Sequence, residues 1–266
     1  MVGNMEKQSS EKIYATQVYN GCENSFVIRM YENKFDNSES AKKYCGNTYD
    51  GFILVKQNPL EMVIYNRDGS LATMCGNGIR CFIHYCYNHN LLHSKVNQVV
   101  TKSGIVQTKI ISIYPFMVMV LMNEAKDCFH GKRYSLYPIE INHHTYEVNL
   151  IYTGVWHSVI IPTDFDESLV DIQEIFDYPL FHKEVNIDMV QFRNDFIYVK
   201  TYERGVGFTK ACGTGVMAVY LVLRKLGKLY DNDVAIQTDG GMIRAGLNEF
   251  GPFIIGPSIA GKIINH

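Results

Sequence analysis

The sequence predicts an α/β (α+β) protein built from two pseudo-symmetric domains. A Cys-Gly-polar-Gly motif occurs twice, at Met74–Gly78 and at Ala211–Gly215, and about half of the 266-residue chain separates the two copies. Strand and turn signals precede each copy, and apolar residues at helical spacing follow it. This repeated order indicates an internal duplication, with the two cysteines meeting in a cleft between the domains.

The strand signals of the first half are short runs rich in β-branched and aromatic residues. They cover Tyr14–Met30, Phe52–Val55, Glu61–Asn66, Gln98–Thr101, Ile105–Ile113 and Met117–Met122. A turn is predicted at Arg67–Ser70, because Asp-Gly favours turns. Apolar residues at helical spacing predict a helix over Ile79–Leu92, directly after the first motif.

The second half repeats this order. Strands are predicted at Tyr146–Tyr152, His157–Ile161, Met189–Phe192, Phe196–Tyr202, Val234–Thr238 and Gly241–Leu247. A helix is predicted over Val216–Leu226, closed by Gly227. The polar segment Asn123–Arg133 is the predicted boundary between the halves.

These signals lead to a domain prediction. We expect one domain at residues 13–128 and a second at residues 129–254. The tail at residues 255–266 is expected to pack back on the first domain, and residues 1–12 are expected to lie outside the fold.

Composition excludes several classes of function. The 25 Lys and Arg residues nearly balance the 27 Asp and Glu residues, and the chain has no block of like charge that would indicate nucleic-acid binding. It also has no apolar run long enough to span a bilayer, and its first residues lack the apolar core of a signal peptide. We therefore expect a cytoplasmic protein with a small-molecule amino acid substrate and with no nucleic-acid or membrane partner. The sequence leaves a homodimer open.

The seven cysteines are odd in number and widely spaced, which favours reduced thiols over a disulfide framework. Cys81 and Cys86, with the nearby His84, His89 and His93, resemble a metal-binding cluster. However, Cys81 and Cys86 would lie about 140° apart around a helix, so a packed helix with a polar face is the preferred interpretation.

The two motif cysteines, Cys75 and Cys212, are the candidate catalytic residues. A cysteine at a helix start is expected to form a thiolate more readily, because free N–H groups and the positive end of the helix dipole face it. The first-turn N–H groups, at Gly76 and Asn77 in one copy and Gly213 and Thr214 in the other, are predicted to bind a substrate carboxylate. Inverting an α-carbon requires proton removal on one face and delivery on the other. Two thiols can do this without pyridoxal or a metal, so we expect no cofactor.

With these motifs, the chain resembles the diaminopimelate epimerases, pyridoxal-independent enzymes that interconvert the L,L and meso forms of diaminopimelate. The resemblance is carried by Asn66–Ser70 followed by Met74–Cys81, and by Glu203–Gly207 followed by Ala211–Gly215. Supporting matches between about Tyr14 and Ile264 are Asp50-Gly51, His157, Asn186, Gly240-Gly241 and Gly256-Pro257. The resemblance implies two similar domains, each a mixed β-sheet curved around a central helix.

The resemblance also implies roles for individual residues. Cys75 and Cys212 would be the acid/base pair, and Asn24 would line the site. The distal amino acid end of the substrate would be bound by Asn66, Asn186, Glu203 and Arg204. A guanidinium can form a fork with a carboxylate, and Glu203 can oppose the distal ammonium group.

Two segments depart from the pattern of the family. The family's Gly-Asn-Asp-Phe appears here as Glu23–Phe26, and its Gly-Asn-Pro-His appears as Gly154–His157. The second change replaces a substrate-binding amide by Val155, next to Trp156, the only tryptophan in the chain. A substrate with an aromatic or imidazole side chain is therefore an alternative to diaminopimelate.

Other interpretations of the same residues remain open. The protein could be a racemase of another amino acid, histidine included, or a non-catalytic thiol- or metal-binding protein on the same fold. Asn66 could cap the turn that follows it, and Glu203 with Arg204 could form a surface ion pair. His157 is interpreted as a core histidine without a chemical role.

Overall fold

The computed structural model describes residues 14–33, 36–122, 125, 134–141, 144–161, 172–178, 184–194 and 196–264. Within these residues the first half forms strands β1 (Thr16–Gly21), β2 (Asn24–Met30), β3 (Gly51–Lys56), β4 (Glu61–Asn66), β5 (Val96–Thr101), β6 (Gly104–Ile113) and β7 (Phe116–Leu121). The second half forms β8 (Tyr134–Ile141), β9 (His144–Tyr152), β10 (Trp156–Ile160), β11 (Asn186–Arg193), β12 (Phe196–Glu203), β13 (Gly207–Thr209), β14 (Asp233–Thr238), β15 (Gly241–Asn248), β16 (Gly251–Pro257) and β17 (Ile259–Ile264). The helices are α1 (Asn37–Cys45), α2 (Gly76–Asn88), α3 (Ile172–Asp177) and α4 (Gly213–Lys225).

All the strands of the described residues belong to one continuous sheet. Its order is β17-β1-β2-β3-β4-β5-β6-β7-β16-β15-β14-β12-β11-β10-β9-β8, and the short strand β13 pairs with β12. The antiparallel pair β7–β16 joins the two halves of the sheet, and Gly256 lies opposite Val118 there.

The two halves of the sheet have the same pairing pattern. From β17 to β7 the successive pairs are antiparallel, antiparallel, parallel, antiparallel, parallel, antiparallel and antiparallel. From β8 to β16 the succession is identical. The predicted fold class, an α/β (α+β) protein with a mixed, curved β-sheet, is confirmed.

The helices occupy matching positions in this pattern. Helix α1 joins β2 to β3 as α3 joins β10 to β11, and α2 and α4 precede β5 and β14. Helix α2 packs on strands of the first half and on β16 and β17, whereas α4 packs on β9–β12, β15 and β16. Both long helices are buried over most of their length, so each is the core of its half rather than a surface element.

Several elements differ from the prediction in their bounds. Helices α2 and α4 begin three residues earlier than predicted, because glycine and polar residues in the motifs hid their first turn. The run Tyr14–Met30 is divided into β1 and β2 by a turn at Cys22 and Glu23, whose φ values are 56° and 61°. Helix α4 ends as predicted, with Gly227 at a φ of 67°.

Helix α1 was not predicted. Its sequence is mostly polar, and only Ala41 and Cys45 are buried, so its apolar periodicity is weak. Asp36 starts the helix by accepting hydrogen bonds from the N–H groups of Ser38 and Glu39.

The domain limits remain a prediction. Apart from Ala125, the predicted boundary at 123–133 lies outside the described residues, as do Cys128 and the N-terminal extension at 1–12. Strand β17 of the chain's tail pairs antiparallel with β1. No helix of the described residues is long and apolar enough to cross a membrane.

Candidate active site

Each of the two long helices begins directly after a motif cysteine. Cys75 has an extended backbone and precedes α2, and its sulfur accepts the N–H of Gly78 at 3.4 Å. Cys212 has the same extended backbone and precedes α4. Both thiols therefore lie at the positive end of a helix, where the first-turn N–H groups have no partner within the helix.

The two helix starts lie against each other. A Cβ added to Gly76 would lie 3.9 Å from the Cα of Gly213, and a Cβ on Gly213 would lie 2.8 Å from the Cδ1 of Ile254. Glycine at position 213 therefore leaves room for Ile254 beside this junction, whereas a Cβ on Gly76 would make only ordinary contacts. The structure thus brings together two motifs that are distant along the chain.

A hydrogen bond links the two motifs directly. The side-chain amide of Asn77 donates to the carbonyl of Ala211 at 2.9 Å, and its carbonyl oxygen accepts from Arg80 at 2.8 Å. The Asn77 side chain is buried. Only the backbone of Asn77 is therefore available to contact a ligand.

Burial changes the ionisation of both thiols. It raises the pKa of Cys75, although the N–H groups of Gly78 and Asn77 act in the opposite direction. Burial also raises the pKa of Cys212 well above its ordinary value, and the nearby carboxylate of Glu203 adds to this effect. The backbone N–H groups at both helix starts thus favour the thiolate, as predicted, but desolvation opposes it more strongly.

Glu203 is the acidic group shared by the two thiols. Its charge raises the pKa of both Cys75 and Cys212, and it accepts a hydrogen bond from the Cys212 thiol. Burial raises the pKa of Glu203 itself, while the hydroxyl of Thr209 donates to its carboxylate at 2.6 Å. Among the described residues, Glu203 therefore contacts Cys212 and Thr209 and forms no surface ion pair with Arg204.

A buried polar network supports Cys212 from behind. The hydroxyl of Thr214 lies 3.2 Å from the Cys212 sulfur and 3.0 Å from Nε2 of His157. Nδ1 of His157 lies 2.6 Å from Asp188, which also accepts from Thr201 at 2.7 Å. His157, Asp188 and Thr201 are buried.

Sequence reasoning gave His157 and Asp188 no role. The two residues lie on neighbouring parallel strands, β10 and β11, where His157 is paired with Asn186 and Val159 with Asp188. No spacing in the sequence reveals this pairing, which depends on the register of the sheet. The only available signal was the occurrence of both residues in short segments that match the family.

The remaining predicted ligands divide into two groups. Near Cys75, the oxygen of Asn24 accepts from the thiol at 3.8 Å. Near Cys212, the oxygen of the buried Asn186 accepts the N–H of Arg204 at 2.9 Å. Arg204 is exposed, and its guanidinium has no hydrogen-bond or ion-pair partner among the described residues.

Asn66 is bound to its own turn. The side-chain amide of Asn66 donates to the hydroxyl of Ser70 at 2.9 Å, and the backbone carbonyl of Asn66 accepts the N–H of Gly69. Asn66 is exposed and ends β4, opposite Gly51. The hydrogen bonds of the described residues connect it with neither cysteine, so the turn-capping interpretation is compatible with the geometry.

The divergent segment Gly154–His157 borders the Cys212 motif. The hydroxyl of Thr153 donates to the carbonyl of Thr214 at 3.0 Å, and His157 bonds the hydroxyl of the same residue. Between these two anchors, Val155 and Trp156 are 41% and 37% exposed. Trp156 packs edge-on against Tyr152. The departure from the family pattern therefore lies at the rim of the site rather than in the core.

Known proteins are similar to this chain over most of its length. A family model for diaminopimelate epimerase matches residues 17–126 and 149–256. The chain belongs to the diaminopimelate epimerase family. Its members in the comparison include a diaminopimelate epimerase of Halothermothrix orenii, which is 30% identical over 92% of this chain and 95% of its own length. A diaminopimelate epimerase of Methanocella arvoryzae is 33% identical over 87% of this chain and 89% of its own length.

Solved structures with little sequence similarity share the fold. A phenazine biosynthesis protein of Bacillus anthracis, of the PhzF family, has a TM-score of 0.68 and 13% identity, covering 94% of this chain and 98% of its own. A hydroxyproline epimerase of Agrobacterium vitis has a TM-score of 0.65 and 12% identity, covering 94% of this chain and 89% of its own. These structures show the fold alone. The family match and the relatives at 30% and 33% identity show that the protein is an isomerase, an amino acid epimerase.

Proposed function

We propose that the protein inverts the α-carbon of diaminopimelate, from the L,L to the meso form, by proton transfer between two cysteines. The observation that carries this proposal is the junction of the two helix starts, which brings Cys75 and Cys212 to one place with Glu203 near both. Such an enzyme would serve lysine and peptidoglycan precursor synthesis.

The proton transfers follow from the surroundings of each thiol. One cysteine, in its thiolate form, removes the α-proton of the substrate and so becomes a thiol. The other cysteine, still protonated, delivers its own proton to the opposite face of the carbanion. The substrate carboxylate lies against the first-turn N–H groups of α2 and α4, which stabilise the negative charge that develops at the α-carbon.

His157 and Asp188 act through Thr214. The carboxylate of Asp188 orients the imidazole, and the imidazole fixes the hydroxyl of Thr214 beside Cys212. A fixed hydroxyl keeps the Cys212 sulfur in one orientation during both proton transfers, which matters because small displacements of a reacting group are costly.

The residues predicted to bind the distal end of the substrate favour diaminopimelate. An amino acid group at this end carries a carboxylate and an ammonium group, and Arg204 and Glu203 offer one charge of each sign. The side-chain oxygen of the buried Asn186 accepts the backbone N–H of Arg204, which holds these two residues in place. The guanidinium of Arg204 has no hydrogen-bond partner among the described residues, so it is available to bind a carboxylate.

Val155 favours a second candidate, a racemase of another amino acid with the same chemistry. An apolar side chain replaces a substrate-binding amide here, and the exposed ring of Trp156 adjoins it. A site of this kind would accept a flat or apolar side chain, such as imidazole or a benzene ring, more readily than the amide would.

The test is deuterium exchange. The purified protein is incubated with L,L-diaminopimelate in D₂O, and the α-proton signal is followed by NMR, with a panel of single L-amino acids, histidine included, in parallel. Exchange together with formation of the meso isomer supports the first candidate. Exchange with another amino acid alone supports the second, and no exchange with any substrate rejects both. The Cys75→Ala/Cys212→Ala double variant is the matched blank.

A further inference from the structure

Arg80 is a buried cation at the start of α2 for which the proposed chemistry has no use. Its side chain is fully buried. Its guanidinium donates to the carbonyls of Gly76 and Pro257 at 3.1 and 3.3 Å and to the oxygen of Asn77 at 2.8 Å, and lies 3.5 Å from the sulfur of Cys22. Among the described residues, no carboxylate pairs with it.

This burial is unfavourable by itself. A guanidinium removed from water without an opposite charge loses much solvation free energy, and neutral acceptors recover only part of it. The surroundings are nevertheless shaped for it. A Cβ on Gly256 would lie 2.8 Å from the Cζ and Nε of Arg80, so only glycine leaves room for the guanidinium.

The contacts of Arg80 reach both cysteine motifs. On one side it bonds the carbonyl of Gly76, the residue that follows Cys75. On the other side it holds the oxygen of Asn77, whose amide donates to the carbonyl of Ala211, the residue that precedes Cys212. The planar guanidinium of Arg80 thus binds Gly76 directly and, through Asn77, the carbonyl of Ala211. A flexible ammonium group would not hold both contacts in this geometry.

We propose that Arg80 is a positioning residue that holds the starts of α2 and α4 at the separation in which the Cys75 and Cys212 thiols face one substrate carbon. This proposal rests on the proposed two-thiol function. It assigns Arg80 no contact with the substrate. Its effect passes through Gly76 and Asn77.

The charge of Arg80 has a second consequence for the two thiols. The groups that face Cys75 are Glu203, Arg80 and the N–H groups of Asn77 and Gly78, and Arg80 favours its thiolate. Cys212 faces the carboxylates of Glu203 and Asp188, and both oppose its thiolate. We therefore expect Cys75 to react with an alkylating reagent faster than Cys212 does.

The test compares three variants with the wild type and with Arg244→Met, a matched control in which an exposed arginine paired with Asp233 is lost. Arg80→Met removes both the charge and the planar guanidinium. Arg80→Lys keeps the charge but loses the planar guanidinium. Gly256→Ala keeps Arg80 but displaces its guanidinium. The readouts are kcat and KM for the substrate identified by deuterium exchange, and the rates of iodoacetamide reaction at Cys75 and Cys212, resolved by peptide mass spectrometry between pH 7 and 10.

We expect the variants to change kcat and the alkylation rate of Cys75 differently. Arg80→Met and Gly256→Ala lower kcat at least tenfold and change KM less than about threefold, because the groups that bind the distal end lie elsewhere. Arg80→Met also slows alkylation of Cys75 and shifts its profile to higher pH. Arg80→Lys restores the alkylation of Cys75 but not kcat.

Three results overturn the proposal. Folded Arg80→Met and Gly256→Ala proteins with wild-type kcat and KM exclude a positioning role, as does a loss of activity that merely follows the folded fraction. If Arg80→Met does not fold, the other two variants decide. If the wild type is inactive with every amino acid, the proposed function fails. The alkylation arm then decides on Arg80 alone, since it needs no substrate, and an unchanged Cys75 rate rejects the proposal.

Discussion

Nε2 of His157 lies 3.0 Å from the hydroxyl of Thr214, which in turn lies 3.2 Å from the sulfur of Cys212. A residue two positions after the cysteine thus connects it with a buried imidazole and, through the imidazole, with Asp188. The network is made of side chains from three separate elements, β10, β11 and α4. It makes the Cys212 side of the site more constrained than the Cys75 side.

The first prediction concerns this network. Thr214→Val keeps the shape of the side chain but removes the hydroxyl, so it leaves His157 and Cys212 without their shared partner. We expect kcat per folded molecule to fall about tenfold, the equivalent of one hydrogen bond of about 1.4 kcal/mol. Stability should fall by about 1–3 kcal/mol, because the buried imidazole loses its partner. Thr214→Ser keeps the hydroxyl and is the control. Equal rates for the two variants would exclude a role for the hydroxyl.

The second prediction concerns the two thiols. Cys75→Ala or Cys212→Ala should lower the rate of inversion by about 10⁴-fold, the upper range for a positioned acid or base. Chiral chromatography of the product measures the rate. The control is Cys86→Ala, which removes a buried thiol of the same helix as Cys75. It should lower stability by about 1 kcal/mol and leave the rate per folded molecule intact. Inversion by either single alanine variant at a rate near wild type would contradict the two-thiol mechanism.

The third prediction concerns Arg204. Arg204→Lys keeps the charge but loses the fork that binds a carboxylate at two points. We expect KM for diaminopimelate to rise about tenfold or more, with a smaller change in kcat, measured by initial rates over a range of substrate concentrations. Lys200→Arg, in strand β12 that leads to Arg204, is the control for exchanging one cationic side chain for another. An unchanged KM in Arg204→Lys would show that the distal carboxylate binds elsewhere.

The fourth prediction concerns the pH dependence of stability. Burial lowers the pKa of His84 to about 4, and its ring stacks on Phe116 with centroids 3.8 Å apart. In the unfolded chain the pKa of histidine is about 6.5, so between these values the unfolded state binds a proton that the native state does not. His84 therefore contributes stability above about pH 6.5, and this contribution is lost as the pH falls towards 4.

Urea unfolding at several pH values between 7 and 4.5 checks this dependence. In His84→Gln, the slope of the unfolding free energy against pH should be smaller, by up to about 1.4 kcal/mol per pH unit. The slope is the relevant quantity, since the variant also loses the stacking on Phe116. His93→Gln, an exposed histidine, is the control. Identical slopes in His84→Gln and the wild type would contradict the prediction.

The fifth prediction compares two glycines of the motifs. A Cβ on Gly215 would lie 2.3 Å from the carboxylate of the buried Asp188, whereas a Cβ on Gly76 would make only ordinary contacts of 3.5 Å or more. Gly215→Ala should therefore destabilise the protein by about 3 kcal/mol, and Gly76→Ala should fold normally. Thermal unfolding of both variants measures the difference. Equal melting temperatures would show that Asp188 can move aside.

Much of the fold could be predicted from the sequence, because the signals are local. Helices α2 and α4 were located by apolar spacing and by the glycines around them, and most central strands by β-branched runs. The two catalytic candidates came from the same local motifs. Helix α1 escaped because its apolar face consists of two residues, and the starts of α2 and α4 were missed because glycine carries no apolar signal.

The sequence by itself determined the fold class, the family and the identity of the two motif cysteines. Only the tertiary structure decided how these motifs meet, because the contacts between Gly76 and Gly213 and between Asn77 and Ala211 join residues more than 130 positions apart. It also decided that the resting thiols are desolvated and that His157, Asp188 and Thr214 form one network behind Cys212. Burial and sheet register are properties of the packed chain, and no short segment of sequence contains them.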